Sequence, residues 1–171
     1  MESFELTIRP LRGEDGEALL WHLQTVGEET HQLSHGPNEI SRDPAKQRAW
    51  IKSYIRQSNS LMIGAFINDR LRGVGTITGY PTNKTAHRGE VSLSVQKAWW
   101  NKGIGSAIMR SLIEEAAHAT PLEVLELWVL KENTIATALY ERFGFTTIGE
   151  YQRFFTVRGV HYDAYLMHRF V

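Results

Sequence analysis

Alternation and helical spacing of apolar residues divide this chain into an ordered set of elements. Glu5 to Leu11 alternates, with Leu6 and Ile8 on one side and Pro10 closing the run, which predicts a first strand. From Glu14 to about Glu28, Ala18, Leu19, Leu23 and Val26 recur at helical spacing. Asp43-Pro44 predicts a second helix, with Asp as N-cap and Pro in the first turn, running to about Gln57. Trp50, Ile51, Tyr54 and Ile55 mark its face, and Trp21, Trp50 and Tyr54 are expected in the core. Leu61 to Ile67 and Leu71 to Tyr80 flank the turn Asn68-Asp69-Arg70, a hairpin pattern, and Glu90 to Val95 predicts a further strand. Asn101 to Ala119 reads as a loop opening into a helix with Ile104, Ile108, Met109, Leu112, Ile113 and Ala116 inward. Val124 to Leu130 is strand-like. Asn133 to Phe143 predicts a helix with an inward stripe of Ile135, Leu139 and Phe143, capped by Gly144. Two alternating segments around Arg158-Gly159 predict a closing hairpin.

The order is one strand, two helices, three strands, a helix, a strand, a helix and two strands. It mixes hairpins with crossover helices. That predicts an α/β chain with one mixed, largely antiparallel twisted sheet of about seven strands and four helices on both faces. At 171 residues the whole chain, 1–171, is expected to form a single domain.

Composition narrows the function classes. Lys+Arg is 19 and Asp+Glu is 19, a formal net charge of zero, so no nucleic-acid partner is expected. No window approaches the ~18 apolar residues of a membrane helix, so no membrane partner is expected either. Met1 to Pro10 carries Glu2 and Glu5 and does not resemble a secretory signal, and the expected compartment is the cytoplasm. The chain has no cysteine, which excludes disulfides, thiolate metal sites and a cysteine nucleophile. His31 and His35 lie four apart but have no carboxylate partner at helical spacing, and they read as surface residues; no metal is expected.

The segment Val91 to Met109 carries the strongest chemical signal. A strand runs into a loop, and Lys102-Gly103-Ile104-Gly105-Ser106 opens a helix. Unpaired N–H groups and the helix dipole make such a junction an anion site. Lys102 adds a cation, Ser106 a hydroxyl, and the two glycines allow close approach of a phosphate. The P-loop pattern is absent, and Ile108 stands where a dinucleotide loop needs Gly or Ala. On the preceding strand, Val91, Leu93 and Val95 point one way and Glu90, Ser92 and Ser94 the other. That polar face fits either a wet cleft or the solvent side of an edge strand. Glu90 is the candidate general base. In the later segment, Asn133 reads as a helix N-cap and Tyr140 as an aromatic one position off the core stripe.

Together these two segments resemble the GCN5-related N-acetyltransferase (GNAT) superfamily. Its acetyl-CoA loop has the form [QR]-x-x-G-x-[GA], and this chain has Trp100-Asn101-Lys102-Gly103-Ile104-Gly105. The later family helix reads N-x-x-A-x-x-L-Y-x-x-x-G-F, and Asn133, Ala136, Leu139, Tyr140, Gly144 and Phe145 fill every position. Trp100 and Asn101 depart from the family's Arg or Gln and its following Gly. Trp99-Trp100-Asn101-Lys102-Gly103 is similar to the loop of the bacterial ribosomal-protein and polyamine N-acetyltransferases, and Gly159 to Met167 is similar to that branch's closing strand.

The resemblance implies the GNAT fold, acetyl-CoA as co-substrate and no metal. It implies transfer of an acetyl group to a primary amine (a protein N-terminus, a polyamine or another small amine) by direct attack. Glu90 would be the base, acting through water, and Tyr140 the acid, neutral at its usual pKa of ~10. A strand N–H near Val95 would hold the thioester oxygen. Lys102, Gly103, Ile104, Gly105, Ser106 and Asn133 would bind the cofactor. Glu28 and Glu29 would either line the acceptor site or form a solvated face. A homodimer is a further expectation from the family. The alternative is a catalytically silent acyl-CoA-binding module of the same fold, acting as a sensor or partner subunit.

Overall fold

The computed structural model describes residues 4–33 and 39–171. The expected strands all form: β1 (Leu6–Pro10), β2 (Leu61–Ile67), β3 (Arg70–Gly79), β4 (Arg88–Val95), β5 (Val124–Leu130), β6 (Thr146–Val157) and β7 (Val160–Phe170). So do the four helices: α1 (Gly16–Glu29), α2 (Pro44–Arg56), α3 (Ile104–Ala119) and α4 (Thr134–Arg142). The boundaries lie within a few residues of those the sequence predicts. The strands make one sheet in the order β1-β2-β3-β4-β5-β7-β6. Every pair is antiparallel except β4 with β5.

Local chemistry sets the element ends. Asp43 accepts a hydrogen bond from the Ala45 amide at 2.9 Å, with Pro44 opening α2. Asn133 accepts from the Ala136 amide at 3.1 Å and caps α4. In the last hairpin, the carboxylate of Asp163, to which the sequence assigns no role, accepts from the Arg153 amide at 2.8 Å. Arg153 sits at φ +56° inside the irregular stretch between Tyr151 and Phe155, so Asp163 pins that bulge.

The sheet is covered on both faces. Leu19, Leu23, Ile51 and Tyr54 of α1 and α2 bury Met62, Leu71 and Val74. On the other face Ile104, Ile108, Met109 and Leu112 of α3, with Tyr140 of α4, pack on Ile63, Ile77, Val91, Leu127 and Met167.

Three expectations about the core need correction. Ile135 is 66% exposed, while Leu139 and Phe143 pack inward as expected, joined by Ala136 and Tyr140. In a helix of nine residues spacing alone does not fix which first-turn residue turns inward, and the fit against α3 decides it. Trp21 and Trp50 are exposed, and only Tyr54 of the three aromatics is buried, its hydroxyl 2.6 Å from Thr78 Oγ1. In place of Trp21, His22 is the buried ring of α1, with Nε2 2.9 Å from Ser94 Oγ on β4. β4 is a central strand, so its polar face is not the outside of an edge.

Candidate active site

The parallel pair at the centre of the sheet is short. β4 and β5 are in register only from Arg88↔Val124 to Glu90↔Glu126, although β4 continues to Val95 and β5 to Leu130. The strands therefore part beyond Glu90. On its other side β4 stays paired with β3 as far as Gly73↔Val95. The Gln96 amide donates to Arg72 O at 2.9 Å, so Gln96 is a hydrogen-bonded partner of β3. By antiparallel alternation, Leu93 and Val95 then turn their N–H and C=O groups into the gap. The Trp100 indole donates to Val95 O at 2.6 Å. The Val95 N–H remains a donor directed into the gap.

α3 begins at the mouth of this gap. Gly103, its N-cap, lies at φ +79° with nothing within 4 Å of where a Cβ would sit. The preceding Asn101 is also left-handed, at φ +58°. No side chain caps the helix, so its first amides point out of the protein without an acceptor among the described residues. A Cβ on Gly105 would meet Leu139 Cδ2 at 3.3 Å and Leu93 Cδ2 at 3.6 Å. The absence of a side chain at Gly105 thus lets α3 pack closely against α4 and β4.

Two cations flank the helix start. Lys102 Nζ lies 4.5 Å over the Trp99 ring. Arg142 Nη2 donates to Ser106 Oγ at 3.5 Å. The sequence reading passed over Arg142. Its position in the last turn of α4 is visible in the sequence, but its neighbour across the fold is not.

Tyr140 is buried in the cluster that contains Ile104 and Val129, against which Leu93 and Val95 pack. Its ring lies 5.9 Å from that of Phe145. Burial pushes its pKa up to about 12. The hydroxyl has no hydrogen-bond partner among the described residues and is not sealed from solvent.

Glu90 occupies the opposite face of β4. Its side chain is exposed; partial desolvation of the carboxyl by its surroundings raises the pKa, and the Glu126 charge adds to the effect. Glu126 is the second residue missed. It is buried, accepts from Arg88 Nη2 at 2.6 Å and Arg88 Nε at 3.2 Å, and also accepts from the Tyr80 hydroxyl. Its neighbours on this face of the sheet include Trp128, stacked on Phe154 at 4.9 Å and edge-on to Tyr151 at 5.9 Å. Glu29 Oε2 accepts from the Lys97 amide at 2.7 Å, and Glu28 is exposed. His31 is exposed, 2.6 Å from Glu132, and His35 lies outside the described residues. Among the described residues no three His, Cys, Asp or Glu side chains gather as metal ligands.

The arrangement offers an uncapped helix start for an anion, a gap between strands for an extended chain, a carboxylate on one face of the sheet and a phenol on the other. A model of the acetyltransferase (GNAT) family matches residues 24–145. The L-amino acid N-acetyltransferase AaaT of Escherichia coli (strain K12) is 28% identical over 167 residues, covering 96% of this chain and 98% of AaaT. A GNAT-family acetyltransferase from Streptococcus pneumoniae superposes with a TM-score of 0.94 at 28% identity, covering 98% of this chain and all (100%) of that one. YncA from Salmonella typhimurium, solved with its cofactor acetyl-CoA, superposes with a TM-score of 0.85 at 19% identity, covering 96% and 93% of the two chains.

Proposed function

This chain belongs to the acetyltransferase (GNAT) family, and on that premise we propose that it moves the acetyl group of acetyl-CoA to a primary amine by direct attack. The carrying observation is the parting of β4 and β5 beyond Glu90 and Glu126, with the uncapped start of α3 at its mouth. The acceptor class that fits is the α-amine of an amino acid or protein N-terminus, or another small primary amine. The name of AaaT supports the first of these, since that relative acts on L-amino acids.

The residues fit acetyl-CoA as a substrate. Amides of Ile104, Gly105 and Ser106, reinforced by Arg142 and Lys102, would hold its phosphates. Leu93 offers its backbone groups to the pantetheine amides in the manner of an added strand. Acetyl-CoA supplies a thioester carbon that an amine can attack.

The protein's part is to move protons and hold charge. An amine attacks only when neutral, and the Glu90 carboxylate takes its proton through a water. The Val95 N–H donates to the thioester oxygen as charge builds there, an effect of about 2–4 kcal/mol for one donor. Tyr140, on the other face of the sheet, gives its hydroxyl proton to the departing sulfur. Asn133 holds the N-terminus of α4 and with it the placement of Tyr140.

A calorimetric titration with acetyl-CoA, with NAD and ATP as controls, tests the cofactor. Thiol release across an amine panel tests the reaction. Saturable binding of acetyl-CoA alone and amine-dependent thiol release are expected. Binding of NAD or ATP instead, or no thiol release with any amine, overturns the reading.

A further inference from the structure

Glu126 has no place in the chemistry above, yet it is a buried carboxylate held by three hydrogen bonds. It lies buried in β5, within an otherwise apolar strand. Arg88 grips it through two nitrogens, at 2.6 and 3.2 Å, and Tyr80 donates its hydroxyl. Those partners come from two other segments, the end of β3 and the start of β4. They occupy its oxygens and hold the carboxylate in one place.

The neighbour of this charge is Glu90. Glu90↔Glu126 is the last register pair before the strands part. In-register residues on adjacent strands share a face, with backbones about 4.8 Å apart. Glu90 itself has no ion-pair or hydrogen-bond partner among the described residues. Its own side of the sheet carries few other charges. Thr78, its partner on β3, is engaged by the Tyr54 hydroxyl of α2. His22 of α1 contacts Ser94 two pairs along, and His168 of β7 is the register partner of Glu126 one strand further. Tyr80 and Arg88 complete the set, and both are turned to Glu126.

We propose that Glu126, clamped by Arg88 and Tyr80, is a positioning residue that holds a fixed negative charge beside Glu90. That charge favours proton uptake by the Glu90 carboxyl. The inference rests on the reading of Glu90 as the base, and it adds a part for three residues that touch neither substrate. The raised pKa of Glu90, caused by partial desolvation of its exposed side chain first and by Glu126 second, agrees with this placement.

The test separates the proposal from the reading it rests on. The Glu90 side-chain carboxyl is titrated by carbon NMR in the whole protein, in wild type, Glu126→Gln and Arg88→Gln. The pH profile of kcat/KM is measured on the same proteins. Glu126→Gln removes the like charge, so the Glu90 midpoint falls by about one pH unit. Arg88→Gln leaves Glu126 unneutralised, so the midpoint rises. Opposite shifts are the expected result, and a merely structural role for Glu126 gives neither. An unchanged midpoint in Glu126→Gln overturns the proposal whatever the rates do. If that variant does not fold, the direction of the Arg88→Gln shift decides alone. If the midpoints shift as expected but the acid limb of kcat/KM stays in place, the coupling stands and Glu90 is not the base.

Discussion

The indole of Trp100 donates its N–H to the carbonyl oxygen of Val95 at 2.6 Å, closing a backbone group that the parting of β4 and β5 would otherwise leave open. Trp100 stands at the Arg/Gln position of the family pattern [QR]-x-x-G-x-[GA]. It therefore contributes to the site by fixing the end of β4 and the direction of the Val95 N–H, not by meeting a phosphate. Trp100→Phe keeps the ring and removes the donor. A single hydrogen bond is worth about 1 kcal/mol, so KM for acetyl-CoA should rise or kcat fall by about fivefold. Steady-state kinetics at varied acetyl-CoA measures it, and an unchanged kcat/KM would assign the contact no role.

The two glycines of the α3 loop should respond differently. Gly103 is left-handed with open space around it, so Gly103→Ala meets strain but no clash, a cost of about 1–2 kcal/mol. For a chain of this size that lowers Tm by roughly 2–8 °C. Gly103→Glu adds a carboxylate at the anion site and should remain folded while losing acetyl-CoA binding. Gly105→Val instead presses on Leu139 and Leu93, so it should lose stability first. Thermal melts paired with calorimetric titrations distinguish them. Equal effects on both readouts would mean that the loop is purely structural.

Much of this was legible in the sequence, because period-two and helical spacing are local signals. All strands and helices follow from them, and so does the junction of β4 with α3. The buried charge of Glu126 was not legible. Within Val124 to Leu130 it is one polar residue in an apolar run, and its partners Tyr80 and Arg88 lie 46 and 38 residues away. The parallel register that sets Glu126 beside Glu90 has no local signature. Arg142 escaped for the same reason, since Ser106 is 36 residues distant. Tyr140 was placed beside the core stripe because a helix this short does not fix its own face; packing against α3 and Phe145 does.

In the proposed site Arg142 would supply the cation that Trp100 does not. It reaches Ser106 at the start of α3 and places its charge where phosphate oxygens would lie. Arg142→Ala should raise the KM for acetyl-CoA by about three- to tenfold with little change in kcat, because the contact is equal in ground and transition states. Exposed charges are screened by salt, so wild-type affinity should weaken with ionic strength more steeply than that of the variant. Titrations at several salt concentrations measure the slopes, and identical slopes would remove Arg142 from the site.

The Tyr140 hydroxyl is the proton donor we propose, and burial keeps it neutral. Burial lifts its pKa from 10.0 to about 12, so it stays protonated throughout the working range and adds no basic limb to kcat below about pH 10. Tyr140→Phe removes a hydroxyl that has no partner in the protein, so stability should change little. The loss falls on kcat, by about a hundredfold or more, while acetyl-CoA still binds. Linkage adds a second signature. Between pH 10 and 12 the unfolded tyrosine has released its proton while the folded one retains it. The unfolded state then binds fewer protons, and stability falls as pH rises through that window. Denaturant titrations from pH 9 to 12 should show the fall in wild type, and a smaller one in Tyr140→Phe. A catalyst that loses turnover, keeps binding and loses this alkaline slope together has its acid at Tyr140; retention of turnover in Tyr140→Phe would place the donor elsewhere.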